Sequence, residues 1–303
     1  MSANITTADN SSPCIYTFPM YKQQGLDLAK ALNLPCYDIS IHHFPDKESM
    51  VTLPKEKSNH IILYLSLDYP NNKLIELLLT SKTLRQQGCK RITLIAPYLG
   101  YMRQDMSFHS GEVISQQIIG QWLSELVDDV ITVDPHLHRI NSLDAVIPNT
   151  NNQTVSACPN LGKFVKTLNK KTYLLGPDEE SLQWVKQVAE ISGASYSVAT
   201  KQRHSDTLVD IQIPEYDYKN QHIILIDDVI STGHTVAQAA IKLYSAGAKQ
   251  VDVLVTHALF AKDAMDILLN ANIKNVWSSD SISHKTNSIS LTNLLADSIK
   301  KIT

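Results

Sequence analysis

The hydrophobic and polar positions of this chain repeat one theme: a short apolar run of strand length, then a longer stretch with helical spacing. Strands are predicted near Cys36–Ile41, His60–Leu65, Ile92–Ala96 and Val130–Val133, and again near Lys171–Leu175, Tyr196–Ala199, His222–Ile226 and Val251–Thr256. Helices are predicted over Gln23–Leu32, Leu74–Gln87, Val113–Leu126, Leu182–Ile191 and Val236–Ala246. In Val113–Leu126 the expected buried stripe is Ile114, Ile118, Trp122 and Leu126. Alternation of this kind predicts an α/β fold with mostly parallel, doubly wound sheets.

Two segments recur. Asn59-His-Ile-Ile-Leu63 returns as Gln221-His-Ile-Ile-Leu225, and Gly88–Ala96 returns in altered form as Gly247–Val255. The spacings, 162 and 159 residues, are nearly equal and the order is kept, which points to two copies of one domain. The expected organisation is a loose tail over 1–13, a first domain over 14–150, a second over 151–285 and a C-terminal helix over 286–303. The polar stretch Pro148–Thr154 is the expected linker.

The copies differ where their chemistry would lie. Where the first has Tyr64-Leu-Ser-Leu-Asp68, the second has Ile226-Asp-Asp-Val-Ile230. In the second copy an apolar strand thus runs into paired carboxylates, Asp227 and Asp228, then Ser231, Thr232, Gly233, His234 and Thr235, and then a helix. The first N–H groups of a helix have no partner within it and sit at the positive end of its dipole. Small hydroxylated residues there suit a phosphate. The aspartates repel phosphate but can bind sugar hydroxyls, or reach phosphate through Mg²⁺. A phosphorylated sugar offers both kinds of group. Taken alone, the stretch also reads as an ordinary strand-to-helix turn with Thr235 as N-cap.

Composition narrows the class. The 303 residues carry a net charge of −3 and are 43% hydrophobic and 19% charged, an ordinary globular balance. Mild acidity argues against a nucleic-acid partner, which needs a basic face. No apolar run reaches membrane-spanning length. Four scattered cysteines, Cys14, Cys36, Cys89 and Cys158, read as reduced thiols of a cytoplasmic protein.

Other candidate groups follow strands, where open α/β sheets bind ligands. Phe44, Asp46 and Glu48 can stack on and hydrogen-bond a base. Arg103, Gln104 and Asp105 follow the strand ending at Ala96, and the arginine fork suits phosphate or an adenine face. His136 and His138 can face one metal or anion, Asp178 can hold Mg²⁺, and Lys201 with Arg203 can close over a phosphoryl group as charge builds on it. Each also has a plain surface reading.

In this order the motifs Tyr101-Met-Arg-Gln-Asp105, Asp134-Pro-His136, Gly176-Pro-Asp178, Lys201-Gln-Arg203 and Asp227–Thr235 resemble the ribose-phosphate diphosphokinase (PRPP synthetase) family, from Phe44 to Phe260. The resemblance implies two tandem phosphoribosyltransferase-like domains, a cytoplasmic homo-oligomer, and Mg²⁺-dependent transfer of a diphosphoryl group from ATP to ribose 5-phosphate. It assigns Phe44, Asp46, Glu48, Arg103, Gln104 and Asp105 to ATP, and His136 and Asp178 to the Mg²⁺–triphosphate. Lys201 and Arg203 would serve the transition state, with His136 beside them. Asp227, Asp228 and Ser231 to Thr235 would hold ribose 5-phosphate.

The chain departs from the family pattern at Met106 and Ser107, where basic residues are frequent, and at Glu180 and Ser181, where glycines are frequent. His234 also replaces a frequent glycine. These departures motivate a rival reading, a non-catalytic synthetase-like subunit. A phosphoribosyltransferase that consumes PRPP is a third reading.

Overall fold

The computed structural model describes residues 12–107, 109–137, 142–203, 209–261 and 263–302, with only the backbone of 202, 203, 209 and 210. The chain divides into two compact units, Met1–Val155 with Thr292–Thr303, and Ser156–Leu291.

The first unit begins with β1 (Cys14–Thr17), α1 (Lys22–Leu32) and β2 (Cys36–Asp38). A two-stranded hairpin follows, β3 (Ser40–His43) and β4 (Ser49–Thr52). Then come β5 (His60–Tyr64), α2 (Pro70–Gln86), β6 (Arg91–Ala96), α3 (Ser115–Ser124), β7 (Asp129–Val133) and β8 (Asn151–Val155). The second unit runs α4 (Cys158–Thr167), β9 (Thr172–Gly176), α5 (Leu182–Ser192) and β10 (Ser195–Val198). It continues with the hairpin β11 (Thr200–Arg203) and β12 (Val209–Gln212), then β13 (His222–Val229), α6 (His234–Ser245), β14 (Gln250–His257), α7 (Ala264–Asn270), β15 (Val276–Ser279) and β16 (Asn287–Ile289). A last helix, α8 (Thr292–Ile299), packs on α1 and β8 of the first unit.

The strand orders are β2-β1-β5-β6-β7-β8 and β10-β9-β13-β14-β15-β16, each sheet parallel throughout. Position for position the two orders are the same, as the duplicated sequence predicts. The central strands are buried on both faces, so Ile61–Leu63 and Ile223–Ile226 read as continuous apolar runs. In both sheets the order reverses beside the first strand, between β1 and β5 and between β9 and β13. That crevice at the carboxyl ends is the place where such sheets take ligands.

Four expectations need correction. The run Cys36–Ile41 is two elements: β2 joins the sheet, and Ile39 carries the chain out to the hairpin. Pro148–Thr154 is largely β8, paired residue by residue with β7, so the units part at Val155 rather than at 150. Residues 287–289 form β16 of the second sheet, so 286–303 is a strand and a helix shared between units. In α3 the buried positions are Gln116, Gly120 and Leu123, while Ile118 is exposed. A Cβ on Gly120 would lie 2.0 Å from the carbonyl oxygen of Val146, so this close backbone approach, rather than the apolar spacing, fixes which face turns inward.

The thiols of Cys14, Cys36 and Cys89 are raised by burial, Cys14 to about 12, and all four cysteines are free. Among the described residues, no helix is long and apolar enough to cross a membrane.

Candidate active site

In the second unit β13 carries its carboxylates to the switch point. The Asp227 side chain accepts from the backbone N–H of Asp228 at 3.0 Å, and that of Asp228 from Val229 at 2.7 Å. The chain then turns through Ser231, Thr232 and Gly233. The Ser231 carbonyl is held by the N–H of Ala261 at 2.7 Å. Gly233 has φ +78°, the left-handed region, and caps α6. A Cβ there would also press to 3.3 Å from Leu268, so glycine answers both demands. The helix therefore begins at His234, with Gly233 rather than Thr235 at the cap, and no side chain caps it. The free N–H groups of its first turn face the end where Thr232 and His234 are exposed.

Across the switch point, β9 ends in Gly176-Pro-Asp178. A Cβ on Gly176 would fall 2.1 Å from the Ser181 hydroxyl, which donates to the Asp178 carbonyl at 2.5 Å. Ser181 is thus fully buried and closes this turn, while Glu180 is exposed. The carboxyl of Asp178 is raised by burial and by Glu180, and Lys201 opposes the shift. Asp227 is raised well above the ordinary carboxylate range by burial, then by Asp228 and Asp178. These mutual influences place Asp178, Asp227, Asp228 and Lys201 in one neighbourhood. Lys201 reaches it from β11, paired with Ile211 of β12. The side chain of Arg203 lies outside the described residues.

Raised acids make the edge costly when ionised. A carboxyl held above its unfolded pKa stabilises the fold while protonated, and that contribution is lost as pH rises through the folded pKa. Asp227→Asn is therefore expected to raise the thermal midpoint of the ligand-free protein at pH 7, with the gap to wild type shrinking toward pH 4. Thermal melts at both pH values check it. A variant no more stable than wild type at pH 7 contradicts the assignment of strain.

The first unit offers a different set. After β6 the chain turns at Tyr101, whose φ is +64°, and Arg103 stands exposed. Gln116, missed in the sequence, holds this turn. Its N–H donates to the carbonyl of Gln104 at 3.3 Å and its side-chain amide to that of Met102 at 2.9 Å. Both carbonyls flanking Arg103 are thus fixed by one buried residue. Asp105 and His136 are partly buried, His136 following Asp134 at φ +37°. His138 lies outside the described residues. Phe44, Asp46 and Glu48 sit on the turn between β3 and β4, all exposed, with Glu48 N–H bonded to the Asp46 carboxylate at 3.1 Å.

The switch point of the first unit is already filled. Lys73, from the first turn of α2, lies 2.6 Å from the Asp68 carboxylate, 3.0 Å from the Ser66 carbonyl and 3.0 Å from the Tyr21 hydroxyl. Tyr21 also donates to Asp68. Burial lowers Lys73 against the pull of Asp68, and raises Tyr21. Where the second copy presents the small-residue loop Ser231–Thr235, the first holds its own cation.

Parallel sheets in tandem, one ending in paired aspartates and a small-residue loop at an open helix start, define a phosphoribosyltransferase-type protein with a duplicated domain. Residues 15–126 match the N-terminal domain of ribose phosphate pyrophosphokinase, and residues 160–290 the phosphoribosyl transferase domain. A ribose-phosphate pyrophosphokinase of Saccharolobus solfataricus is 33% identical over 267 residues, 85% of this chain and 90% of that one. One of Sulfurisphaera tokodaii is 32% identical over 285 residues, covering 92% and 97%. The phosphoribosylpyrophosphate synthetase of Mycobacterium smegmatis shares the fold, with TM-score 0.79 at 21% identity over 96% of this chain and 99% of that one. The chain belongs to the ribose-phosphate pyrophosphokinase family.

Proposed function

We propose that the protein transfers the β,γ-diphosphoryl group of ATP to the C1 hydroxyl of ribose 5-phosphate, giving PRPP and AMP. The observation that carries this reading is the edge of the second unit, where Asp227 and Asp228 end a strand just before an open helix start and Asp178 bears on the same cluster. Asp227 and Asp228 bind the ribose hydroxyls, and the N–H groups and hydroxyls of Ser231 to Thr235 hold the 5-phosphate. In the first unit, Arg103, Gln104 and Asp105 together with Phe44, Asp46 and Glu48 bind ATP. The C1 oxygen attacks the β-phosphorus in line. One P–O bond forms as the bond to the α,β-bridging oxygen breaks and that oxygen leaves with AMP. Positioning and charge neutralisation supply most of the rate. Lys201 and Arg203 meet the charge developing on the transferred group.

The residues fit magnesium. Carboxylate oxygens are the donors a hard cation prefers, and Asp178 is among the charges that raise Asp227, after burial and Asp228. Among the described residues no three His, Cys, Asp or Glu side chains form a ready cage. That suits an ion which keeps its waters and shares substrate phosphates. Asp178 would hold it, and the family resemblance also assigns His136 to the ion. When bound, it neutralises charge on the triphosphate. The protein is further proposed to be a cytoplasmic homo-oligomer, as the family resemblance implies.

Incubation with ATP, Mg²⁺ and ribose 5-phosphate is expected to release AMP and PRPP in equal amounts. Binding of both substrates without AMP would favour the non-catalytic subunit, the reading prompted by Met106 and by the charge Glu180 brings to Asp178. Diphosphate release from PRPP and a nucleobase would favour the transferase.

A further inference from the structure

The two hairpins are copies of each other. Ser40 faces Thr52 and His43 faces Ser49; 160 residues on, Thr200 faces Gln212 and Arg203 faces Val209. Each is a two-stranded sheet outside the main one. Such a ribbon is marginal by itself and needs an anchor. The strands β3 and β4 are mostly exposed, so little apolar burial supplies one.

The anchor is Glu76 of α2. Its side chain is 7% exposed, and one oxygen, Oε1, lies 2.9 Å from His43 Nε2 and 3.0 Å from the Ser49 hydroxyl. His43 and Ser49 are the last cross-strand pair before the turn. One buried carboxylate thus grips both strands at the base of the loop that carries Phe44, Asp46 and Glu48. Inside that loop, Phe44 N–H bonds the Glu48 carbonyl at 2.9 Å and Lys47 N–H the Phe44 carbonyl at 2.9 Å. The turn is rigid within itself, and its aim depends on the grip below it.

We infer that Glu76 is a positioning residue for the nucleotide: it fixes the direction in which the Phe44–Glu48 turn presents its side chains and so sets the affinity for ATP. The inference rests on the reading of that turn as part of the ATP site.

Steady-state kinetics with each substrate varied test it. Glu76→Ala is expected to raise KM for ATP about tenfold, with KM for ribose 5-phosphate within twofold of wild type. Glu76→Gln keeps an acceptor oxygen and is expected to restore most of the loss. Because loss of a buried carboxylate can also weaken α2, the exposed side is cut as well. His43→Ala with Ser49→Ala leaves the helix intact and is expected to reproduce the rise in KM for ATP. A KM for ATP within twofold of wild type in that double variant, or an equal rise for both substrates, overturns the inference. Phe44→Ala separates the two levels. If it leaves KM for ATP unchanged, the reading of the turn fails; if it raises KM while the His43/Ser49 variant does not, only the role of Glu76 fails.

Discussion

Lys201→Ala is expected to lower turnover about a thousandfold while ribose 5-phosphate binds as before. Phosphoryl transfer involves little covalent work by the protein, and a cation aimed at the transferred group supplies about 10³ or more in rate. Lys201 is the described cation whose charge reaches Asp178, and it stands on a strand rather than in the loop Ser231–Thr235. Loss of rate and loss of sugar binding should therefore separate. Single-turnover measurement of AMP formation, beside a calorimetric titration of ribose 5-phosphate, gives both quantities. A variant of near-normal rate removes Lys201 from the chemistry. A variant that no longer binds ribose 5-phosphate shows instead that its charge holds the ground state.

The second large effect lies at the opposite switch point and concerns stability. Lys73→Met keeps the length of the side chain but leaves the Asp68 carboxylate, 5% exposed, without its cation and beside the Tyr21 hydroxyl. Breaking one side of a buried pair costs roughly 3–5 kcal/mol, because the remaining charge is stranded. The measurement is the urea midpoint of the full chain, with the slope checked for a two-unit transition. The double variant Lys73→Met with Asp68→Leu should recover most of the loss, since an apolar pair of similar volume often matches a buried ion pair. If the single variant costs less than about 1 kcal/mol, the buried pair is not what closes this crevice.

These two positions also show how far the sequence could be read. Asp227 to Thr235 was legible because its signal is local: an apolar run, acids, a glycine and hydroxyls within a single turn. The duplicated sheets were legible for a similar reason, since buried parallel strands are continuous apolar runs. The hairpins were not, because strands such as Ser49–Thr52 alternate between half-buried and exposed positions and carry no apolar run. Lys73, Glu76 and Gln116 escaped for another reason. Each looks like an ordinary polar helix residue, and its role appears only through partners on other elements: Tyr21 and Asp68, His43 and Ser49, Met102. The stripe expected for α3 holds in part, with Leu126 buried and Ile114 and Trp122 half-buried, but Ile118 is exposed, and Gly120 marks a backbone contact that apolar spacing does not encode.

The last helix has a consequence for how the molecule is made. Because α8 lies on α1 and β8, the first unit is written in two pieces, with all of Ser156–Leu291 between them. Ser298 donates to Gln153 across 145 positions of chain. On the ribosome the second unit, contiguous in the chain, emerges complete while the first still lacks its cover. The surface of α1 and β8 must therefore wait, uncovered, through the synthesis of an entire neighbouring unit, a window in which apolar surface is open to misassembly.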